Sequence, residues 1–270
     1  MARQARVVFV NRFFHPDHSA TSQILSELAF ALAQTGRTIA VVTSRQRYDA
    51  PDAKLPPFES IRGVAVHRIA TTRFGRRKLI DRAVDFVTFY LSAMAALTRM
   101  LKRGDVLVIK TDPPLMSLVL TPVARLRGAR VINWLQDVYP EVAEADGLIV
   151  SGPARAAAGL LKRLRDWSLR RADANVVLGE RMAALVRGAG AQDRVTVSPN
   201  WALEAIVPRE GEHASALRTA QNLANRFVVG YSGNLGRVHD SATMIDAMRL
   251  LGADDRIAWL FVGAARSLPK

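Results

Sequence analysis

The sequence predicts an α/β protein built on a parallel, doubly wound sheet. Short β-branched apolar runs alternate with amphipathic helical stretches, and glycines and prolines punctuate the joints. The first three segments already read strand–helix–strand, a unit whose crossover makes the two strands parallel. With 270 residues, 49% of them hydrophobic, the chain holds one large domain or one and a half Rossmann-like units. A second strand–loop–helix series opens near residue 226, after a much longer first one.

Arg6–Val10 is the first strand, and residues 11–20 (Asn-Arg-Phe-Phe-His-Pro-Asp-His-Ser-Ala) form a polar loop. From about Thr21, Ile24, Leu25, Leu28 and Leu32 share one helical face, which Gly36 stops. Thr38–Thr43 completes the βαβ unit. Ligands of such sheets sit beyond the carboxyl ends of the strands, so the loop after the first strand faces the site. Residues 45–60 are polar and proline-bearing, a surface loop, and Val64–Ile69 is a strand. Asp81–Lys102 is a helix apolar around most of its circumference, either buried or partly seated in a membrane. Asp105–Lys110 is a strand. Pro113 and Pro114 then fix an extended turn and the start of a helix running to about Arg127, with a kink expected at Pro122.

Arg130–Leu135 is the next strand, and Pro153–Arg171 a strongly basic helix with Leu164 and Trp167 on its buried face. Ala174–Leu178, Glu180–Arg187 and Arg194–Val197 read as strand, helix and strand. They close a first domain, residues 1–203. Residues 204–225, with Pro208 and Gly211, form a linker or peripheral helix, and 226–270 begin a second domain. There Phe227–Tyr231 reads as a buried strand, and Asp240 or Ser241 caps a helix whose Met244, Ile245, Met248 and Leu251 share a face. Ile257–Val262 is the last strand.

Net charge is +14, from 38 Lys and Arg against 24 Asp and Glu. That balance suits anionic partners such as nucleotide sugars, lipid pyrophosphates or an acidic leaflet. Nucleic acid is not expected as a partner: no RNP-like segment, zinc-finger spacing or helix-turn-helix is present. With no cysteines there are no disulfides or thiolate metal sites. The longest charge-free stretches, Phe86–Thr98 and Pro113–Ala124, have 13 and 12 residues, short of the ~20 that span a bilayer. The N-terminus runs straight into a strand without signal-peptide architecture, so a cytoplasmic protein is expected. The basic run 71–78 around Phe74 is a solvated loop, or a contact to an anionic membrane surface at the inner face of the plasma membrane or to a lipid-linked acceptor.

Three stretches carry candidate chemistry. Gly233 and Gly236, with Asn234 and Arg237 beside them, form a tight loop between a strand and a helix N-terminus. Such a loop serves turn geometry alone or accepts a phosphate on backbone N–H groups and helix dipole. His15 and the small residues Ser19, Ala20 and Thr21 lie in the loop after the first strand and permit close approach of a ligand. Asp137 and Glu141 straddle Pro140 at a strand's carboxyl end, where a carboxylate points into the ligand crevice or serves as a turn or cap residue. No His/Asp/Glu cluster suggests a metal. A dinucleotide oxidoreductase is disfavoured, since no Gly-x-Gly-x-x-Gly loop follows Val7–Val10.

Tyr231-Ser-Gly-Asn-Leu-Gly236, preceded by Ser198-Pro-Asn-Trp201, resembles the start of the donor domain in bacterial GT-B glycosyltransferases of the family-4 type. The nearest likeness is to the subgroup building colanic acid, O-antigen and other surface polysaccharides. Gln136-Asp137-Val138-Tyr139-Pro140-Glu141 resembles that subgroup's Asp-x-Tyr/Trp-Pro-Glu signature. Many family-4 enzymes place a His just before the acidic residue; this chain has Gln136, so a His-based role is not carried over. The resemblance implies a complete N-terminal Rossmann-like acceptor domain plus the beginning of a donor domain. It implies transfer of a sugar from a nucleotide diphosphate sugar to a lipid-linked or polysaccharide acceptor, with retained configuration, no obligatory metal and no cofactor. Asp137 and Glu141 would contact the reacting sugars. Gly233, Asn234, Gly236 and Arg237 would hold the donor phosphates, with His15, Ser19, Ala20, Thr21 and Asn200 also lining the substrates. Members carry a Glu-x7-Glu pair late in the donor domain, and no Glu follows Glu212 here. A truncated donor domain with weak or absent transfer is therefore expected, the alternative being a non-catalytic remnant that binds acceptor or membrane.

Overall fold

The structure, a computed structural model, describes residues 5–48, 50, 52–74, 79–145, 147, 152–204, 206–207, 212–233 and 240–263. The chain divides into two compact units, one of Met1–Glu144 with Ile149–Leu203, the other of Ala145–Leu148 with Glu204–Lys270.

The first unit contains β1 (Val7–Val10), α1 (Ala20–Gln34), β2 (Ile39–Ser44), β3 (Phe58–Ile61), β4 (Val64–Ile69), α2 (Leu79–Met100) and β5 (Val106–Lys110). It continues through α3 (Met116–Leu126), β6 (Arg130–Trp134), α4 (Glu141–Ala145), α5 (Gly152–Arg171), β7 (Ala174–Val177), α6 (Glu180–Gly188) and β8 (Val195–Val197). Its sheet runs β3-β4-β2-β1-β5-β6-β7-β8, and every described pair is parallel except β3 with β4. From β1 the chain winds outward through β2 to β4, then returns to the other side of β1 as β5. The strand order therefore reverses between β1 and β5, and the crevice at their carboxyl ends is where such sheets bind ligands.

Alternation along the strands divides the core in two. Val8, Val10, Leu107 and Ile109 pack on Phe89, Ala93 and Leu97 of α2 and on Leu120 of α3. Phe9, Val41, Val108 and Trp134 point the other way, onto Ile24, Leu25, Ala29 and Phe30 of α1. Burial on both faces is why β1 and β2 read as unbroken apolar runs.

Three expectations change here. The loop read over 45–60 ends in β3, an edge strand antiparallel to β4. Glu59 accepts an ion pair from the buried Arg68 there, a tertiary contact that local polarity cannot announce. In α2 the apolar circumference splits: Phe89, Ala93 and Leu97 are buried, while Ile80, Val84, Val87 and Leu91 are exposed. On α5, Leu164 is exposed and Trp167 half-buried, whereas Ala158, Arg165, Ser168 and Leu169 face inward, the helix being rotated to bring Arg165 to a carboxylate partner. The helix α3, Met116–Leu126, carries Pro122 inside it.

The second unit contains α7 (Glu212–Ala220), β9 (Phe227–Ser232), α8 (Ser241–Leu251) and β10 (Ile257–Val262), with β9 and β10 parallel and in register from Phe227↔Ile257 to Ser232↔Val262. Asp240 caps α8, accepting from the Thr243 N–H at 3.2 Å and hydroxyl at 2.6 Å. The expectation that β9 is buried is corrected: Phe227 is 72% exposed and the strand's other residues are half-buried or exposed.

Candidate active site

The site is built at the carboxyl edge of the first unit's sheet. Two chain neighbours bolt the loop leaving β1 in place. The Arg12 N–H donates to the Asp112 carbonyl after β5 (2.8 Å), while the Arg12 carbonyl accepts from the Ser44 N–H (3.0 Å) and the Thr43 hydroxyl (3.0 Å) at the end of β2. The Arg12 guanidinium is buried, lies over the rings of Phe13 and Phe86, and pairs with Asp85 of α2 at 3.5 Å.

Further along the loop, the His15 N–H donates to Ser26 Oγ (3.2 Å), its carbonyl accepts from Arg68 (2.8 Å), and its ring meets Phe30 edge-on. Partial burial lowers its pKa, an effect that Glu59 opposes and Arg68 reinforces. Buried Asp17 organises the turn into α1, accepting from the Ser19 hydroxyl (2.5 Å) and N–H (2.8 Å) and from the Tyr48 N–H. Because the Ser19 hydroxyl is committed to Asp17, it makes no side-chain cap to α1, and the helix's first turn holds no acidic residue. The N–H groups of the first turn, around Ala20 and Thr21, thus carry the positive end of the helix dipole with no carboxylate of the same turn against them.

The ends of β5 and β6 supply the second half. Lys110 closes β5, opposite Trp134 in register, and is 1% exposed. Its ammonium lies 3.7 Å from the centre of the Trp134 ring and has no hydrogen-bond acceptor among the described residues. Burial drives its pKa down to about 7, against a smaller restoring pull from Asp112. Trp201 stacks on Trp134 at 6.1 Å and 19°, and its indole N–H donates to Glu27 of α1 at 2.8 Å. Neighbouring Asn200 donates to Gln136 Oε1 (2.9 Å), and the Gln136 N–H donates to Thr111 Oγ1 (3.2 Å). The residue after Gln136 is Asp137.

Asp137 and Glu141, adjacent in the motif, have different environments. Asp137 lines a small cavity of about 30 Å³ with Thr111, Ser117, Tyr139 and Ser168, and its pKa is raised by burial. Glu141 binds Arg165 bidentately at 2.7 and 3.1 Å, with Lys162 at 3.6 Å. Burial acts to raise its pKa, but the Arg165 hydrogen bonds and the charges of Arg165 and Lys162 outweigh it and hold the pKa down. An uncommitted carboxylate can accept from substrate hydroxyls; one locked on a guanidinium instead fixes α4 against α5.

The structure thus gathers His15, Ser19, Ala20, Thr21, Asp137 and Asn200 along one sheet edge. In the second unit, Gly233 follows β9 with φ +149°, and its N–H donates to the Val262 carbonyl at 2.9 Å. A side chain on Gly263 would collide with the Gly233 carbonyl, so bare backbones meet there. Asn234, Gly236 and Arg237 lie outside the described residues. Sequence reasoning missed Lys110 and Arg165. The only sign of the first was a lysine closing an otherwise apolar strand; the second was hidden among the many cations of α5. Among the described residues no group of three or more His, Asp or Glu is arranged to hold a metal ion, and no helix is long and apolar enough to cross a membrane.

With this geometry in place, comparison with known proteins is informative. The family described as "Glycosyl transferase 4-like domain" matches residues 20–201. A probable glycosyltransferase of Pseudomonas aeruginosa, WbjE, is 26% identical over 193 residues, 71% of this chain and 47% of that protein. The chain therefore spans about half the length of this curated relative. Among solved structures, Anabaena Alr3699/HepE in complex with UDP is similar with a TM-score of 0.62 at 14% identity, over 96% of this chain and 61% of that one. A UDP-forming α,α-trehalose-phosphate synthase from Burkholderia vietnamiensis is similar with a TM-score of 0.61 at 14% identity, over 98% and 66%. At these identities the likeness shows the fold: the chain has the α/β, Rossmann-like architecture of the GT-B glycosyltransferases.

Proposed function

The chain belongs to the glycosyl transferase 4-like family, and from that premise we propose that it serves the transfer of a sugar from a nucleotide diphosphate sugar to a lipid-linked or polysaccharide acceptor in cell-surface glycan synthesis. The observation that carries this reading is the Asp137 carboxylate just beyond the carboxyl end of β6, which has no hydrogen-bond or ion-pair partner among the described residues and whose pKa is raised by burial. A carboxylate of raised pKa in a crevice is a better proton acceptor at neutral pH than an exposed one. Asp137 accepts the hydrogen bond of a reacting hydroxyl, and Gln136 and Asn200 fix the strand end that carries it. Glu141 is a positioning residue acting through Arg165.

The donor diphosphate is assigned to the loop of Gly233, Asn234, Gly236 and Arg237 in the second unit; in the first unit, the first-turn N–H groups of α1 at Ala20 and Thr21, next to Ser19, are a further place for a substrate anion. Backbone donors at a helix N-terminus are an arrangement that stabilises phosphate and a departing diphosphate. UDP bound to Alr3699/HepE supports a uridine nucleotide as donor carrier. By resemblance to the family, transfer proceeds without a metal or other cofactor and with retention of configuration.

A place at the cytoplasmic face of the membrane has its own support. Ile80, Val84, Val87 and Leu91 are exposed and fall on one face of α2, which follows the basic run that includes Arg73. An apolar stripe beside cations is the signature of an interfacial helix. The test of the whole reading is transfer of radiolabel from UDP-glucose to a membrane extract by the full protein. Incorporation abolished by Asp137→Asn is expected; undiminished incorporation by that variant would overturn the role of Asp137.

A further inference from the structure

A second cavity opens at the carboxyl ends of β2 and β4, away from Asp137. Its volume is about 230 Å³, many times the ~15 Å³ that one water needs. Arg45, Lys54 and Arg73 line it together with Gln46 and Thr71, and among the described residues no carboxylate does. Among the described residues none of the three cations has an acidic partner within ion-pair distance.

The walls are held in place. Arg45 is tied to Leu55 twice, its Nε donating to the Leu55 carbonyl (2.9 Å) and its carbonyl accepting from the Leu55 N–H (3.1 Å), which sets Lys54 beside it. Gln46, 6% exposed, spans the two walls: its amide donates to Thr71 Oγ1 (3.0 Å) and the Thr72 carbonyl (2.8 Å). The segment carrying Arg73 is pinned in turn to α2, where buried Asp85 accepts from the Thr72 hydroxyl (2.7 Å) and the Phe74 N–H (3.1 Å). Three like charges held around one concavity repel one another. An anion that enters relieves that repulsion and gains charge-assisted hydrogen bonds.

We propose that this Arg45–Lys54–Arg73 cavity binds a phosphate or pyrophosphate group of the acceptor. The proposal deepens the transfer reading, since it gives the acceptor an anionic end. Donor phosphates are assigned elsewhere, to the glycine loop of the second unit. The cavity instead lies toward the outer half of the sheet, beside the segment that leads into the apolar stripe of α2, where the head of a lipid-linked acceptor would come.

The test is calorimetric titration of the full protein with inorganic pyrophosphate, in an Arg237→Gln background that removes the donor-side cation. Saturable binding is expected, weakened at least about tenfold by joint Arg45→Gln, Lys54→Gln and Arg73→Gln substitution and by raising the salt. The joint variant is checked by its thermal midpoint. Lys54 and Arg73 are exposed, so a Lys54→Gln, Arg73→Gln double variant serves if Arg45 proves necessary for folding. Equal affinity in parent and variant, or no binding, would overturn the site. Phosphatidylcholine vesicles with and without phosphatidylglycerol, added to protein carrying Val87→Asp and Leu91→Asp so that the α2 stripe does not seat on them, separate the two sources of phosphate. No competition by either kind is expected, whereas competition by the anionic ones would overturn the acceptor assignment in favour of bilayer headgroups. Pyrophosphate binding is read without sugar transfer, so its failure and the failure of the transfer reading are distinguishable.

Discussion

Lys110 is a costly residue, and replacing it should stabilise the protein. Its pKa falls from an ordinary value of 10.5 to about 7 on folding. The native state therefore binds fewer protons than the unfolded chain between those values, and stability rises with pH across that window. At or below about pH 7 the whole difference, 3.5 pH units at 1.36 kcal/mol each, opposes folding by about 5 kcal/mol. The Trp134 face, 3.7 Å from the ammonium, returns about 2 kcal/mol when desolvated, leaving about 3. Lys110→Met keeps the length and apolar stem of the side chain and removes the charge. It should raise stability by about 3 kcal/mol near pH 6, which is about 6–12 °C in thermal midpoint at this chain length. Circular-dichroism melts at about pH 6 and pH 9.5 test both size and sign, because the gain must shrink as pH rises above about 7, where the native lysine has lost its proton and the unfolded one still holds it. A variant that is less stable than wild type, or whose gain is the same at both pH values, would refute the premise that an unsolvated ammonium sits under Trp134.

Asp137→Asn should lower sugar transfer by a factor of about 10² or more while leaving the melting midpoint unchanged, as steady-state kinetics and circular dichroism would show. Arg165→Met should cost about 3 kcal/mol in urea denaturation, because it strands the Glu141 carboxylate in a half-buried place; the joint Arg165→Met, Glu141→Gln variant should recover most of that loss. Val87→Asp with Leu91→Asp should abolish flotation with phosphatidylglycerol vesicles and leave stability within about 0.5 kcal/mol, since both side chains are exposed.

Most of the strands and helices were legible because their apolar periodicity is strong. Val64–Ile69 and Ile257–Val262 appear as read, and Asp240 caps its helix as expected. The misreadings share a cause. β3 is polar on its own and becomes a strand only because β4 offers an edge. The inward face of α5 carries Arg165, paired with Glu141, together with Ala158, Ser168 and Leu169, while Leu164 is exposed, and neither partner of that pair announces the other in the sequence. β9 reads as buried because it is apolar and β-branched, but burial depends on what packs against a strand, which its own residues do not encode. At the site, the motif placed Asp137 and Glu141 together as equals. Only the fold reveals that one is uncommitted and the other neutralised, because the partner that decides it lies 24 residues further along the chain.

The sheet also sets a length for the acceptor. Asp137 follows β6, whereas the Arg45–Lys54–Arg73 cavity lies at the ends of β2 and β4. From β6 to β2 the order passes β5 and β1, three strand spacings of ~4.8 Å, or about 14 Å, and the step on to β4 makes about 19 Å. An acceptor that places a hydroxyl at Asp137 and its phosphate in the cavity must span that distance, which a single sugar phosphate does not. Acceptors in which more than one sugar separates the phosphate from the reacting hydroxyl should therefore be used in preference to a monosaccharide phosphate. The preference should vanish in the joint Arg45, Lys54 and Arg73 variant through a rise in KM for the longer acceptor with little change in kcat, because binding lost far from the reacting atoms is lost equally from ground and transition states. Equal use of short and long acceptors by the wild-type protein would mean that the two ends of the crevice do not serve one substrate.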